Sequence, residues 1–354
     1  MIPTLSLSDI EAESPEAIER LRRAGRDIGV FYLDAGDRLA RRFFADLFEQ
    51  SRQFFRLPLD PKQALALANS SNFRGYVGMG EEYTRGQADI KESFEFAQET
   101  RVPASDNPPP YFRLYGENQW PDASRLPRFR PTLGEYSEWM DRIGRVVLKG
   151  MALTLGQPVT PEAGGGLFRG DPCFFSRLIY YGNPLDFGET DTRLGAHTDH
   201  VLFTLTLQDA PGLEVQTNAG EWIRVEPSEE LFVVFPGELM EFWTRGYYKA
   251  TTHRVHNKAL RTERLSVASF FLPDLQSEVA PIDPASSPHL ADVDLSMSSD
   301  NSWLTKPQAE AQANGASAGE LLRPIMIGEK EWERVNAIFP DEAAPAEESA
   351  QETS

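Results

Sequence analysis

Several residue types are scarce in this 354-residue chain, and each scarcity excludes a class of protein. The single cysteine, Cys173, excludes an internal disulfide and suits a reducing compartment. No apolar run reaches the roughly 18 residues that a membrane-spanning helix needs. The first residues lack a basic segment followed by an apolar one, so no signal peptide is expected. We therefore expect a cytoplasmic protein without a membrane partner.

Basic residues are also outnumbered, because 35 Lys and Arg stand against 54 Asp and Glu, for a net charge of −19 at pH 7. Such a chain repels phosphate backbones, and no basic stripe offsets the repulsion, so nucleic acid is not expected as a partner. Part of the acidity lies in residues 341–354, a polar segment without aromatic residues, which predicts a disordered tail. The hydrophobic fraction of 40% is sufficient for a sizeable core.

The apolar pattern changes from helical to alternating along the chain. Strands are predicted at 2–7 and 30–33, and helices at 14–29, 37–58 and 133–156. The first of these helices has Ser14 as its expected N-cap and Pro15 at its first position. Beyond the Gly- and Pro-rich residues 157–166, short strands are predicted in the stretches "FTLTL", "GLEV", "EWIRV", "LFVVF", "LMEFW" and "RLSVASFF". Helices followed by a β-rich half indicate an antiparallel sandwich or barrel.

The histidines are concentrated in the β-rich half, since the chain has five and none precedes His197. In "GAHTDH", His197 and Asp199 are two residues apart, so on a strand both side chains leave the same face. His200 would then turn away or border a pocket. A third ligand is expected from a distant strand, and "TTHRVHN" offers His253 and His256. Two histidines and one carboxylate form the facial triad of non-haem Fe(II) oxygenases, although a short His/Asp pair also occurs by chance in loops.

A second pair of polar side chains follows the later histidines. Arg264 and Ser266 are again two residues apart on a predicted strand. A guanidinium group with a hydroxyl beside it is a suitable receptor for one carboxylate. The simpler interpretation is an exposed ion pair between Arg264 and its neighbour Glu263.

These motifs occur in an order and spacing that resemble a known family. The stretches that carry the resemblance are "IPTLSL", "AGRDIGVFYL", "RLIYYGNP", "GAHTDHVLFTLTLQDAPGLEV", "LFVVFPGELMEFW", "TTHRVHN" and "RLSVASFFLPD". The chain resembles the Fe(II)- and 2-oxoglutarate-dependent oxygenases of the isopenicillin N synthase type. This implies an α+β fold with a double-stranded β-helix (jelly-roll) core and flanking helices. It further implies an N-terminal α/β region at 1–125, a helix and core at 126–340, and the tail at 341–354.

The resemblance also implies cofactors and an activity. The iron ligands would be His197, Asp199 and His253, and the residues that bind 2-oxoglutarate would be Arg264, Ser266 and Tyr181. The cofactors would be Fe(II), 2-oxoglutarate as cosubstrate and O2, with ascorbate as a reductant. The expected reaction is hydroxylation, desaturation or cyclisation of a small polar or amino-acid-like molecule in secondary metabolism, with release of succinate and CO2.

Residues 73–96 are similar to microbial members, the ethylene-forming branch among them. By that similarity the substrate-binding residues would be Glu82, Thr84, Arg177 and His200. His200 stands where that branch has a tyrosine, and Ile179 where many members have an asparagine. Residues 285–325 fit the family poorly and predict a mobile loop, after which 328–340 resembles the closing helix of the family.

Three alternative functions use the same residues. An Fe(II) oxidase of the isopenicillin N synthase type would act without 2-oxoglutarate and bind a substrate carboxylate at Arg264 and Ser266. Tyr181 favours a 2-oxoglutarate-dependent enzyme over such an oxidase. A zinc hydrolase would need a further general base beside the metal, and none is evident. A non-catalytic metal-binding module has no need of an intact ligand set.

Overall fold

A computed structural model describes residues 1–36, 41–84, 86–160, 166–182, 192–228, 230–256, 263–291 and 323–338. Within these ranges the helices are α1 (Leu7–Glu11), α2 (Pro15–Arg23), α3 (Arg41–Phe55), α4 (Leu59–Gln63), α5 (Phe129–Leu153), α6 (Glu238–Trp243) and α7 (Ile327–Ile338). The predicted tail at 341–354 and most of the loop predicted at 285–325 lie outside the described residues.

The strands form two main sheets. They are β1 (Thr4–Ser6), β2 (Phe31–Asp34), β3 (Gly75–Val77), β4 (Tyr83–Thr84), β5 (Gln87–Ala88), β6 (Glu92–Ala97), β7 (Cys173–Tyr181), β8 (Thr192–His197), β9 (Phe203–Gln208), β10 (Leu213–Gln216), β11 (Trp222–Arg224), β12 (Leu231–Pro236), β13 (His253–His256), β14 (Arg264–Leu272), β15 (Glu278–Val279) and β16 (Ile325–Met326). The larger sheet has the order β1-β2-β12-β9-β14-β7-β6-β3, and the smaller one β11-β10-β13-β8.

The N-terminal strands extend the larger sheet at both edges. β2 pairs with β12 on one side, and β6 pairs with β7 on the other. The central pair, β7 and β14, is antiparallel over nine residues, from Arg264 opposite Tyr181 to Leu272 opposite Cys173. This long register fixes which side chains of the two strands lie next to each other. The N-terminal region thus completes the sheet of the β-rich half.

Helix α5 covers the outer face of the larger sheet. Its buried residues recur at helical spacing, as expected for an amphipathic helix that faces a core. The contact with the sheet is close at Gly144, where an added Cβ would lie 2.0 Å from the ring of Phe271. Phe54 of α3 stacks on Phe129 with ring centroids 5.0 Å apart, and Phe94 of β6 completes this aromatic cluster. The aromatic residues of α3 therefore belong to the core.

The structure corrects two local predictions. "LMEFW", predicted as a strand, lies in helix α6, and every residue of Glu238–Trp243 is buried. A short helix that is buried on all sides has no polar face, so its sequence shows no helical periodicity. Ser14 does precede α2, but its hydroxyl bonds Glu16 and makes no capping bond to the backbone. In the described ranges, no helix has the length and apolar character required to span a bilayer.

Candidate active site

The two sheets enclose a cavity of about 340 Å³. Two strands of the larger sheet line it with alternate residues, β7 from Phe175 to Tyr181 and β14 from Arg264 to Phe270. The alternation arises because side chains two residues apart on a strand share a face. The smaller sheet contributes His197 and His253. The hairpin of β4 and β5 and the helix α7 complete the wall, so the cavity is assembled from distant parts of the chain.

Three potential metal ligands meet at one end of this cavity. His197 ends β8, His253 begins β13, and the two residues are directly paired across the sheet. Asp199 lies in the turn after β8, beyond the strand on which the sequence placed it. Its Oδ1 lies 3.6 Å from Nε2 of His197 and 3.7 Å from Nε2 of His253. Within the described part of the chain, these residues are the one cluster of three whose ligand atoms all lie within 4.8 Å of each other.

Backbone carbonyl groups orient both imidazoles. Nδ1 of His197 lies 2.8 Å from the carbonyl oxygen of Gly195, and Nδ1 of His253 lies 3.1 Å from that of Thr251. A carbonyl only accepts, so each Nδ1 donates a proton to its carbonyl, and Nε2, the ring nitrogen near Asp199, is the atom that each imidazole can offer to a metal. Burial and the nearby imidazole of His253 lower the pKa of His197 to about 4, which keeps it neutral. Two imidazoles and a carboxylate, with one side left open, suit a divalent transition metal such as Fe(II).

The turn that carries Asp199 is braced by residues to which sequence reasoning gave no role. Burial alone would raise the pKa of Asp199, but the two imidazoles and the hydroxyl of Thr204 together lower it. The backbone N–H of Glu238 donates to the carbonyl of Asp199 at 2.8 Å, and Thr198 donates to the Glu238 carboxylate at 2.6 Å. An added Cβ on Gly237 would lie 2.2 Å from the carbonyl oxygen of Val201. The "FPGE" turn therefore holds the metal end in place.

Arg264 lies in the same cavity and is only 2% exposed. Its Nη2 donates to Gln208 at 2.9 Å and its Nη1 to Ser266 at 3.3 Å, and its guanidinium group lies 5.0 Å from the ring centre of Tyr181. The Tyr181 hydroxyl is buried and makes no well-formed hydrogen bond within the described ranges, where Arg264 is the polar group beside it. Burial raises the pKa of Tyr181 to about 12, so this hydroxyl remains a donor. A buried cation beside an unengaged hydroxyl fits a ligand carboxylate, which both groups could bind.

Charged residues line another part of the cavity wall. Arg177 donates to Glu82 at 3.2 Å and also pairs with Glu95. Lys91 pairs with Glu82 and lies 3.4 Å from Asp89. Although burial alone would raise the pKa of Glu82, the charges of Arg177 and Lys91 lower it to about 2. Glu82 is therefore ionised, whereas burial raises the pKa of Asp89 and of Glu95. The charged side chains of this part of the wall are engaged with one another.

Two further predicted residues lie in this wall. Thr84 donates to Asp89 at 3.1 Å, and its methyl carbon would lie 2.9 Å from a Cβ added to Gly195, so the hairpin packs closely on β8. His200 also lines the cavity, and its Nε2 lies 2.7 Å from the carboxylate of Glu331 on α7. His256 carries no cavity-lining surface.

Comparisons with known proteins agree with this geometry. Residues 172–273 match the family model of the 2OG-Fe(II) oxygenase superfamily, and residues 2–123 match that of the non-haem dioxygenase in morphine synthesis N-terminal region. The chain is 33% identical over 274 residues to a homoarginine-6-hydroxylase of Oryza sativa subsp. japonica, covering 76% of this chain and 81% of that protein. It is 34% identical over 287 residues to a clavatol oxidase of Penicillium crustosum, covering 77% and 84%.

The chain belongs to the 2OG-Fe(II) oxygenase superfamily.

The fold of the oxygenase agrees with solved structures. A full-length Neurospora crassa protein in complex with alpha-KG superposes with a TM-score of 0.70 at 23% identity, over 94% of this chain and 95% of that one. The predicted jelly-roll core with flanking helices is therefore confirmed. So are the predicted enzyme class, a 2-oxoglutarate-dependent dioxygenase, and its cofactors Fe(II), 2-oxoglutarate and O2. The resemblance to the ethylene-forming branch, the boundary at residue 125 and the use of ascorbate stay predictions.

The oxygenase has cavity residues that the sequence did not reveal. They are Asp89, Lys91, Glu95, Glu238, Glu331 and Arg334. Charged residues on strands and on a closing helix are common at protein surfaces, so nothing in the sequence separated these from solvated ones. Their position in the sequence was the one available clue to a role in the cavity, since Asp89, Lys91 and Glu95 follow closely after Glu82.

Proposed function

We propose that the oxygenase hydroxylates a small, polar, amino-acid-like molecule. In this proposal His197, Asp199 and His253 hold Fe(II), and Arg264, Ser266 and Tyr181 bind the distal carboxylate of 2-oxoglutarate. The observation that carries it is that the unengaged Nε2 atoms, Oδ1 of Asp199 and the Tyr181 hydroxyl all face one cavity. When bound, Fe(II) with O2 and 2-oxoglutarate supplies the oxidising chemistry, with succinate, CO2 and one oxygen atom transferred to substrate as the outcome.

The chain's own side chains would perform three tasks in this reaction. The carbonyls of Gly195 and Thr251 hold the imidazoles, and the ring of Phe235, 4.6 Å from that of His253, limits their movement. Arg264 and Tyr181 orient the cosubstrate by charge and by hydrogen bonding. Apolar residues that line the cavity exclude water from the reacting atoms, and they are Leu194, Leu213, Phe235, Val255, Ala268 and Phe270.

The amino-acid-like substrate is supported by the charged wall and by the relatives named homoarginine-6-hydroxylase. Ion pairs such as Glu82 with Arg177 offer donors and acceptors to a polar ligand more readily than to an apolar one. The remaining substrate-binding residues proposed here are Thr84 and His200, both in the cavity wall.

A succinate-release screen tests the proposal. The full chain, loaded with Fe(II), is supplied with O2, 2-oxoglutarate and single compounds from a panel that begins with L-homoarginine and includes other amino acids, thymine and aromatic phenols. We expect an amino acid to raise succinate release above the substrate-free rate and to yield a product heavier by one oxygen atom. Oxygen consumption without succinate would favour the oxidase alternative, and stimulation by aromatic phenols alone would contradict the amino-acid-like substrate.

A further inference from the structure

Helix α7 contributes two charged side chains to the cavity, Glu331 and Arg334. They are three residues apart, a spacing that places side chains on the same face of a helix. The Glu331 side chain is only 2% exposed, whereas that of Arg334 is 21% exposed. The helix thus presents a buried carboxylate and, beside it, a guanidinium group that reaches the cavity.

Each carboxylate oxygen of Glu331 has its own partner. Oε2 lies 2.7 Å from Nε2 of His200, and Oε1 accepts from Nε of Arg334 at 3.1 Å and from its Nη2. Burial alone would raise the pKa of Glu331, but the charges of Arg334 and His200 hold it below its usual range. Glu331 therefore fixes two side chains of the cavity wall at once.

Arg334 is the cation of this wall that retains an unengaged donor edge. Arg177 binds two carboxylates through Nε, Nη1 and Nη2. The Lys91 ammonium group contacts the carboxylates of Glu82 and Asp89. Arg334 binds Glu331 through Nε and Nη2, and within the described residues its Nη1 has no partner. A guanidinium group that is held on one edge can bind a second carboxylate on another.

Contacts other than those of Glu331 also dock α7. Just before the helix, β16 pairs with β15, and the N–H of Gly328 donates to the carbonyl of Leu275 at 2.7 Å. An added Cβ on Gly328 would lie 2.3 Å from the ring of Tyr111, and the ring of Trp332 packs on Phe73. Because burial of a carboxylate is costly and an apolar residue would anchor a helix as well, the ion pair is better explained by what it positions.

The charged side chains of the wall indicate the kind of ligand whose carboxylate would bind Arg334. The wall's acidic and basic side chains are Glu82, Asp89, Lys91, Glu95, Arg177, Glu331 and Arg334, and the imidazole of His200 contacts Glu331. Four of these are carboxyl side chains and three are Lys or Arg, so Lys and Arg do not outnumber the carboxyl groups that a ligand meets here. A basic amino acid, with one carboxylate and two cationic groups, would place its cations against the carboxyl groups of the wall and still offer a carboxylate to Arg334.

The geometry points to Arg334 as the residue that binds the carboxylate of a basic amino-acid substrate, with Glu331 as the residue that positions it. This inference rests on the proposed function, since it assigns a substrate class to the same cavity.

The test compares amino acids with their carboxamides. The full chain with Fe(II) and 2-oxoglutarate is titrated without oxygen with L-arginine, L-argininamide, L-lysine and L-lysinamide, and binding is followed by the change in the visible charge-transfer band. We expect an acid to bind about tenfold or more tightly than its amide. The amide lacks the carboxylate and carries more positive charge, which the carboxyl groups of the wall do not disfavour, so a preference for the acid reports a specific carboxylate contact.

Three variants connect that preference with α7. In Arg334→Gln the preference for the acid should disappear or reverse. In Arg334→Lys it should be reduced, because the positive charge remains but the planar arrangement of guanidinium donors is lost. Glu331→Gln should reduce the preference by roughly threefold or more without changing the 2-oxoglutarate titration. The control is Glu333→Gln, since Glu333 is an exposed residue of the same helix that pairs with Lys330 at 2.6 Å.

Several outcomes would overturn the inference. They are equal binding of acid and amide, no binding of either pair, and an unchanged preference in Arg334→Gln. A Glu331→Gln variant that weakens acid and amide equally would show a merely structural role for Glu331. Absence of the charge-transfer band in the unaltered protein would instead contradict the proposed function itself, so the two failures are distinguishable.

Discussion

Two groups of cavity side chains, the proposed metal end and the proposed substrate end, are built on opposite principles. At the metal end, the groups that face the cavity are unengaged: the Nε2 atoms of His197 and His253 and the hydroxyl of Tyr181. At the substrate end, ionised groups such as Glu82 and Arg177 already bind one another. The metal end therefore presents donor atoms that could bind a metal ion and the cosubstrate. The substrate end presents a preformed polar surface with few free atoms, and its selectivity depends on the charge and position of those few.

The largest effect should come from removing a ligand at the metal end. In His253→Ala we expect Fe(II) binding to weaken by at least about a hundredfold and the charge-transfer band to be lost, because in the proposed site the imidazole would contribute Nε2 as a metal ligand. The matched control is His256→Ala on the same strand, whose side chain is not part of the cavity wall. Equal losses in both variants, measured by anaerobic Fe(II) titration, would contradict the assignment of His253.

The cosubstrate receptor should show the next largest effect. Arg264→Ala should raise the dissociation constant for 2-oxoglutarate by at least roughly 30-fold, equivalent to about 2 kcal/mol, because a buried carboxylate would lose its cation. Arg254→Ala serves as the control. Arg254 does not line the cavity, and its Nη2 lies 2.8 Å from a carboxylate oxygen of Glu214. Unchanged 2-oxoglutarate affinity in Arg264→Ala would place the cosubstrate elsewhere.

Tyr181→Phe should have a smaller effect at the same end. Loss of one hydrogen bond costs about 1 kcal/mol, so we expect a rise of roughly fivefold in the KM for 2-oxoglutarate with little change in Fe(II) binding. Tyr180→Phe is the control, because the Tyr180 hydroxyl donates to Glu263 at 2.8 Å. If both variants behave alike, the Tyr181 hydroxyl does not contact the cosubstrate.

At the substrate end, the expected effect is on stability and depends on pH. The pKa of Glu82 is lowered to about 2 from an ordinary 4.5, so its ion pairs stabilise the fold fully above pH 4.5 and lose that contribution as the pH falls towards 2. Glu82→Gln should therefore be less stable than the unaltered protein at pH 6, on the order of 1 kcal/mol, and the difference should shrink by pH 3. Urea unfolding at both pH values measures it.

The matched variant for this comparison is Glu81→Gln, in which an exposed carboxylate beside a backbone N–H is removed. Its stability difference should be small at both pH values. A Glu82→Gln difference that stays constant from pH 6 to pH 3 would show that the Glu82 carboxylate is not specifically stabilised by Arg177 and Lys91.

The same comparison explains how much the sequence could predict. The metal end depends on short local patterns, "HTD", "HRV" and "RLS", and on strand alternation, which directs residues two apart to one face. Those patterns were sufficient to select His197, Asp199, His253 and Arg264 as candidates. The fold class was also accessible, because helical periodicity gives way to alternating strands after residue 166.

The substrate end was not accessible in this way, because its residues are brought together only by the tertiary fold. Glu82 is on a hairpin, Arg177 in the middle of β7 and Glu331 on α7, and no local spacing connects them. The end of β8 at His197 also escaped prediction, so strand alternation left open whether His200 turns away or borders the pocket, and the structure places it in the cavity wall beside Glu331. Helix α6 was missed because its burial on all sides removes the polar face that marks a helix.

The central claim is that the unengaged atoms of the metal end form one site for Fe(II) and 2-oxoglutarate. Its most direct test is to add 2-oxoglutarate to the full chain and Fe(II) without oxygen, and to record the visible spectrum. We expect a charge-transfer band that saturates with one 2-oxoglutarate per chain and is absent in His197→Ala. No band in the unaltered protein, or an equal band in His197→Ala, would contradict the account.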